Sequence, residues 1–129
     1  VLDYMERTRQ IAREQGFVET ILGRRLYTPE ILATNKMIKQ AAERASINAP
    51  LQGSAADIIK LAMIAVDKIL PKDQAKLLLQ VHDELVLECD ESFKTTLVGE
   101  VKARMEAAAE LRVPLIVDVG SGNNWDEAH

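Results

Sequence analysis

Apolar side chains recur along this chain with two spacings, one typical of helices and one typical of strands. The helical spacing predicts four helices, over residues 1–15, 35–47, 54–70 and 91–111. Short β-type runs bounded by turn residues or proline predict five strands, over residues 17–21, 25–28, 77–81, 85–89 and 115–119. The first four strands pair as two hairpins, so the pattern predicts a mixed α+β fold.

Each predicted helix has one apolar side that we expect to face the core. In the first helix this side consists of Leu2, Met5 and Ile11. Because 47% of the 129 residues are hydrophobic but only 4% are aromatic, the core must be built from aliphatic side chains. In the other helices the expected buried positions are Met37, Ile38, Ala41, Ala42 and Ala45; Ile58, Leu61, Ala62, Ala65 and Ile69; and Phe93, Leu97, Val101, Met105 and Ala108.

Glycine and proline set the predicted helix ends. Gly16 suits the C-terminal end of the first helix. Pro50 lacks an amide hydrogen and clashes with the preceding turn, so we expect a kink or break near Asn48. Ser54 then caps the third helix, with Asp57 reaching back as in a capping box.

Composition narrows the class of protein. Cys89 is the only cysteine, so no intramolecular disulfide can form, which suits a reducing cytosol. No apolar run follows a basic segment at the start of the chain, so we see no signal peptide. The longest apolar stretch, residues 55–70, contains four charged side chains, and we therefore expect no membrane span.

Charge is unevenly distributed along the chain, whose net charge is −4. Residues 1–47 carry eight Lys or Arg and six Asp or Glu, whereas residues 48–129 carry eight and fourteen. Salt screens phosphate attraction beyond about 8 Å, so an acidic protein can still bind nucleic acid along one basic track. Ordinary mixing of charges is equally compatible with these counts.

The tripeptide His82-Asp83-Glu84 lies between two β-type runs and is the strongest chemical signal in the chain. A hairpin places its three ionisable side chains at a rigid tip, and carboxylates are the ligands that hard divalent cations prefer. Gly or Asn would suit a tight turn better, which favours a functional role. On the tripeptide alone, a metal-binding turn and a solvated polar turn are equally supported.

Arg44, Asn48 and Gln52 recur at intervals of four, which places them on one side of a helix. Side-chain donors there can contact purine N3 and pyrimidine O2, the minor-groove acceptors of every Watson–Crick pair. Such contacts test the shape of a base pair without reading its sequence. The alternative is a polar helix side with Gln52 as a cap, and these residues alone favour that alternative.

Taken in order, these motifs resemble family A DNA polymerases of the bacterial DNA polymerase I type. The turn at residues 81–84 resembles the family's third catalytic motif, and Arg44, Asn48 and Gln52 match palm residues at the primer-template minor groove. The resemblance covers essentially the whole chain. It extends to both ends, through residues 16–20, 23–27, 119–122 and 125–126.

The resemblance implies a fold and a division into domains. Residues 1–34 correspond to a helix and β-hairpin of the fingers, and residues 35–129 to a palm segment with the His-Asp-Glu hairpin. We therefore expect an antiparallel palm-type sheet of order β-β-α-β packed with helices. A further palm strand lies upstream in the family, so the sheet should keep an unpaired edge. Because Val1 is not a methionine and already lies inside a predicted helix, we expect a fragment or a processed chain.

The resemblance also implies residue roles. Asp83 is the expected catalytic carboxylate and metal ligand, Glu84 supports it, and His82 orients the primer terminus or binds a phosphate. Arg44, Asn48 and Gln52 are the expected DNA-binding series. Further basic residues expected to follow the DNA phosphates are Arg24, Arg25, Lys36 and Lys39.

The implied activity is template-directed addition of deoxynucleotides to a primer 3′ end with Mg²⁺. The family's two-metal site needs an upstream aspartate, and its nucleotide-binding helix is also upstream, so we expect the chain alone to be inactive. The implied partners are primer-template DNA, deoxynucleoside triphosphates and the remainder of the polymerase chain, in the bacterial cytoplasm near the nucleoid and not at a membrane.

Two alternatives remain open from the sequence. The main one is a DNA-binding fragment without catalysis. A more distant one is a metal-dependent hydrolase built on His82, Asp83 and Glu84, which requires further His or carboxylate ligands. His129 is the only other histidine in the chain.

Overall fold

The structure is a computed structural model that describes residues 1–129 and divides into two compact units, Val1–Asp57 and Ile58–His129. It confirms the mixed α+β class. The helices are α1 (Leu2–Gln15), α2 (Lys36–Ile69), α3 (Lys94–Glu106) and α4 (Trp125–Ala128), with 3₁₀ turns at Pro29–Leu32 and Glu91–Phe93. The strands are β1 (Phe17–Glu19), β2 (Arg25–Tyr27), β3 (Ala75–Val81) and β4 (Glu84–Cys89).

In the first unit, α1 leads into an antiparallel β1–β2 hairpin in which Val18 pairs with Leu26. Gly16 ends α1 as predicted: its φ of 81° is left-handed, and its amide donates to the Ala12 carbonyl over 2.9 Å. The buried residues that pack together in this unit are Ala12, Val18, Ile31 and Ala42, with Leu26 and Ala49 packed beside them.

The predicted apolar side of α1 is partly wrong, because Leu2 and Ile11 are exposed while Thr8 and Ala12 are buried. Small side chains allow close approach to the rest of the unit, so they occupy the inner side of α1. The first part of α2 shows the same preference: of its five expected core positions only Ala42 is buried, and Met37 is 80% exposed.

Helix α2 runs without interruption through Pro50, so of the predicted kink or break near Asn48 the break is wrong. A proline inside a helix removes one backbone hydrogen bond, and the helix nevertheless continues on both sides of Pro50. The predicted cap at Ser54 is wrong for the same reason. Its hydroxyl donates to the Pro50 carbonyl within the helix and accepts from the Ile21 amide over 2.8 Å.

Because α2 is continuous, it has 34 residues and an 18-residue stretch with a mean hydropathy of 1.2. By length and composition it is the one helix long and apolar enough to cross a membrane. Only 11% of that stretch is buried inside the protein. Length and composition alone are weak evidence that a single helix crosses a membrane.

In the second unit, β3 and β4 form the antiparallel hairpin predicted around residues 82–84. A bulge between Leu77 and Leu79 inserts one extra residue into β3. The hairpin packs on α3 and the end of α2 through a buried cluster of Val66, Leu70, Ala75, Leu97 and Val101. The last two of these residues confirm the predicted inner side of the helix after the hairpin.

Two predictions for the end of the chain are wrong. The helix predicted over 91–111 is a 3₁₀ turn followed by α3, which ends at Glu106. Residues 115–119 form no strand; instead the Val117 amide donates to the Glu106 carboxylate over 2.9 Å. No strand edge in this chain pairs with them, so the β-β-α-β order is reduced to β-β-α, and β3 and β4 each keep an unpaired edge. The fingers and palm assignment of residues 1–34 and 35–129 stays a prediction.

Candidate catalytic turn and nucleic-acid surface

The tip of the β3–β4 hairpin is a two-residue turn made by His82 and Asp83, and it is closed by the pair Val81 and Glu84. His82 has a left-handed φ of 53°, and it is the only residue other than glycine with a positive φ. This conformation costs an L-residue about 1–2 kcal/mol, and histidine adopts it more readily than most. The Gln80 side-chain amide donates to the His82 carbonyl and supports the turn.

A strained turn residue next to an exposed carboxylate is typical of a functional position. His82, Asp83 and Glu84 are all exposed, so the predicted catalytic side chains are accessible at the tip. No group of three or more His, Cys, Asp or Glu side chains in this chain could hold a metal ion. Asp83 fits as the donor of one carboxylate, but the residues of this chain do not form a complete metal site.

Glu84 has a partner that the sequence did not indicate. His129 Nε2 lies 3.2 Å from Glu84 Oε1, and both side chains are about half exposed. The His129 ring also lies against Trp125, with 5.7 Å between the ring centroids. A contact between residues so far apart in the chain leaves no local sequence pattern, so only the structure could reveal it.

Arg44, Asn48 and Gln52 lie on one side of α2, because helix positions four apart advance by about 40° around the axis. All three are exposed. The continuity of α2 removes the cap alternative for Gln52, which lies inside the helix. The side-chain amides of Asn48 and Gln52 make no hydrogen bond within the chain, so they are available to an external partner.

Residues 1–127 match the family described as DNA polymerase family A. The chain belongs to this family.

Similar proteins and a similar solved structure support membership of this family. The chain is 56% identical over 131 residues to DNA polymerase I of Pseudomonas aeruginosa and 48% identical over 130 residues to that of Mycobacterium tuberculosis. These matches cover 100% and 99% of this chain but only 14% of each relative. The chain is also 47% identical to the POL domain of Pol1 from M. smegmatis in complex with DNA primer-template and dNTP, with a TM-score of 0.94 over 98% of this chain and 23% of that one.

Two consequences follow for this family A segment. Helix α2 lies within the region shared with DNA polymerases, so its length does not indicate a membrane span. Family membership also implies a divalent metal cofactor, which agrees with the exposed carboxylate at the hairpin tip.

The basic residues of this family A segment differ in the contacts that their side chains make within the chain. Arg24 donates from Nε to Asp57 Oδ1 over 2.8 Å, although Asp57 was expected to reach back to a helix cap. The guanidinium of Arg25 lies 4.4 Å from the centre of the Phe17 ring, a cation–π contact. Lys36 and Lys39 are exposed at the start of α2. Their predicted contacts with DNA phosphates stay predictions.

A further ion pair lies beside the Arg44 position. Arg13 donates to Glu43 Oε1 over 2.8 Å, and Glu43 is mostly buried, with 18% of its side chain exposed. The hydrogen bond from Arg13 holds the pKa of the Glu43 carboxyl below its ordinary value of 4.5. The lowered pKa favours the ionised form of Glu43 that pairs with Arg13. The next residue, Arg44, is exposed.

Proposed function

We propose that this chain is the C-terminal palm and fingers segment of a bacterial DNA-directed DNA polymerase. The observation that carries the proposal is the similarity of the whole chain, in sequence and in fold, to a POL domain solved with primer-template DNA and dNTP. The complete enzyme transfers deoxynucleotides from triphosphates to a primer 3′ end in DNA replication and repair. Its bacterial relatives favour a cytoplasmic location near the nucleoid.

In this proposal, Asp83 supplies one carboxylate to Mg²⁺ at the polymerase active site. Bound Mg²⁺ supplies charge neutralisation at the transferred phosphoryl group. The other ligands come from outside this chain, since no group of three ligating side chains occurs within it. Glu84 supports the turn, and the exposed His82 contacts the primer terminus or a phosphate.

Arg44, Asn48 and Gln52 form the proposed minor-groove surface. Their exposed positions on one side of α2 support the proposal, as do the unpaired amides of Asn48 and Gln52. The positively charged Arg24, Arg25 and Lys39 lie in the same unit and are proposed to contact the phosphate backbone. Such contacts position the duplex without sequence preference.

The proposal is tested with a chimeric polymerase. This chain replaces the matched segment of the P. aeruginosa DNA polymerase I, to which it is 56% identical. We expect the chimera to extend a primer in the presence of Mg²⁺ and the isolated chain to show no extension. A folded chimera that binds primer-template DNA but adds no nucleotide contradicts the proposal.

The isolated chain is also the test of the alternative, a non-catalytic DNA-binding fragment. The exposed amides on α2 favour binding of duplex DNA even without a complete metal site. Fluorescence anisotropy with a labelled primer-template measures this binding, and a triple variant with alanine at 44, 48 and 52 is the control. Binding by the isolated chain together with an inactive chimera favours the alternative.

A further inference from the structure

Helix α4 has only four residues, yet it is held by several specific contacts. The Asn124 side chain accepts from the Glu127 amide over 2.9 Å, and the Glu127 carboxylate accepts from the Asn123 amide over 2.8 Å. The first contact is that of a helix N-cap, and the second reaches the amide of the residue before the cap. So short a helix is not stable by itself in water, so these contacts are needed to form it.

Two glycines fix where α4 lies. A Cβ at Gly120 would overlap the carbonyl of Ala128, and a Cβ at Gly122 would lie 2.5 Å from the Cβ of Glu127. The loop at 120–122 therefore approaches the helix closely enough to exclude any side chain. The position of α4 follows from this close backbone packing.

The same contacts place the imidazole of His129. Its Nδ1 lies 3.3 Å from the Trp125 carbonyl, and its ring packs against the Trp125 ring at 5.7 Å. Its Nε2 is then 3.2 Å from Glu84 Oε1. One ring nitrogen faces α4 and the other faces the first residue of β4, so the ring links the short helix to the hairpin tip.

We propose that His129 is a positioning residue for Glu84 and, through it, for the catalytic turn. The inference rests on the proposed polymerase function. Glu84 directly follows Asp83 and closes the turn opposite Val81. The 3.2 Å contact of His129 Nε2 with Glu84 Oε1 restricts the Glu84 side chain and therefore the conformation of the whole tip, as supporting contacts do for other reactive groups.

The contact itself is tested in the full 129-residue chain by NMR. In Glu84→Gln the ¹H and ¹⁵N signals of the His129 ring should shift, while those of the exposed His82 ring should change less. The Asp126→Asn variant removes a charge from α4 without touching the ring and is the control. A His129 ring that does not respond to Glu84→Gln overturns the proposal whether or not the chain is a polymerase.

The positioning role is tested by a double-mutant cycle in the chimeric polymerase. We expect His129→Ala to lower the single-turnover extension rate about three- to tenfold, with little change in the KM for dNTP. In a chimera that already carries Glu84→Gln, His129→Ala should have little further effect on the extension rate. His129→Gln keeps a side-chain donor and should recover part of the rate, and Asp126→Asn should leave it unchanged.

Two outcomes separate this inference from the proposed function. If His129→Ala lowers the extension rate equally in the unmodified chimera and in the Glu84→Gln chimera, the positioning role is overturned, even if the unmodified chimera is fully active. An unmodified chimera that is folded but inactive contradicts the proposed function, and the NMR experiment then still decides whether His129 holds Glu84. Gly120→Ala, which displaces α4 while keeping the imidazole, should reproduce the loss seen with His129→Ala; normal extension by this variant also overturns the role.

Discussion

The guanidinium of Arg24 donates to the Asp57 carboxylate over 2.8 Å and joins the β1–β2 hairpin to helix α2. The Asp57 side chain is only 16% exposed, whereas that of Arg24 is 51% exposed. A carboxylate that is mostly buried depends on its partner more than a surface carboxylate does. The pair therefore contributes to the stability of the first unit, whatever contact Arg24 makes with DNA.

We expect Arg24→Ala to lower the free energy of unfolding by about 1–2 kcal/mol, because it weakens the compensation of a largely buried charge. Urea unfolding of the chain measures the change. The matched control is Arg7→Ala, which breaks an exposed pair with Asp3 at 3.1 Å and should cost less than about 0.5 kcal/mol. Equal effects of the two variants contradict the structural role of Arg24.

Gly53 and Gly99 give a second pair of stability tests. A Cβ at Gly53 would lie 2.8 Å from Thr20 Cγ2 and 3.0 Å from Leu26 Cδ1, whereas nothing lies within 4 Å at Gly99. Alanine gains about 1 kcal/mol of helix propensity at either site, but overpacking costs about 1–3 kcal/mol. We expect Gly53→Ala to destabilise the chain by about 1 kcal/mol and Gly99→Ala to stabilise it by about 0.5–1 kcal/mol. Thermal and urea unfolding measure whether each variant is less or more stable than the parent chain.

The Glu43–Arg13 pair predicts a pH dependence. Because Arg13 lowers the pKa of Glu43 in the folded state, the pair stabilises the protein above the ordinary Glu pKa of 4.5. That stability is lost as the pH falls through the lowered pKa. The difference in unfolding free energy between the parent chain and Arg13→Gln should therefore have its full value at about pH 7 and be smaller at about pH 3. A difference that is independent of pH shows that Glu43 is not the group responsible.

Asp83→Asn preserves the size of the side chain but removes its charge. In the active chimera we expect primer extension to fall by about two or more orders of magnitude, in line with the loss of electrostatic stabilisation in the transition state. Affinity for primer-template DNA should change little. The matched control is Asp73→Asn. Asp73 is an exposed carboxylate that precedes the start of β3, so this variant should extend a primer normally. Near-normal turnover of Asp83→Asn excludes Asp83 as a ligand.

Gln52→Ala distinguishes a minor-groove contact from a structural role. Loss of one such donor should weaken productive primer positioning by about 1–3 kcal/mol with any base pair at the terminus, since every pair offers minor-groove acceptors. The effect should appear in the rate more than in thermal stability, because Gln52 is exposed and unpaired. Single-turnover extension on four termini, beside a melting curve, measures both. Unchanged extension with a lowered melting temperature contradicts the minor-groove assignment.

Several elements could be predicted from the sequence because their signals are local. The left-handed Gly16 ended α1, the apolar runs around residues 82–84 formed a hairpin, and the inner positions Leu97 and Val101 were buried. Each depends on spacing or backbone preference within a few residues. The resemblance to family A polymerases rested on motifs in the same order along the chain, which the comparisons confirmed.

Other features were decided only by tertiary structure. Helix α2 continues through Pro50 although proline removes one backbone hydrogen bond, and residues 115–119 form no strand because no edge pairs with them. Small residues such as Ala12 occupy core positions, since close packing between elements decides which side of a helix faces the core. The Arg24–Asp57 and Glu84–His129 contacts join residues far apart in the chain, and such pairings depend on the folded positions of whole elements.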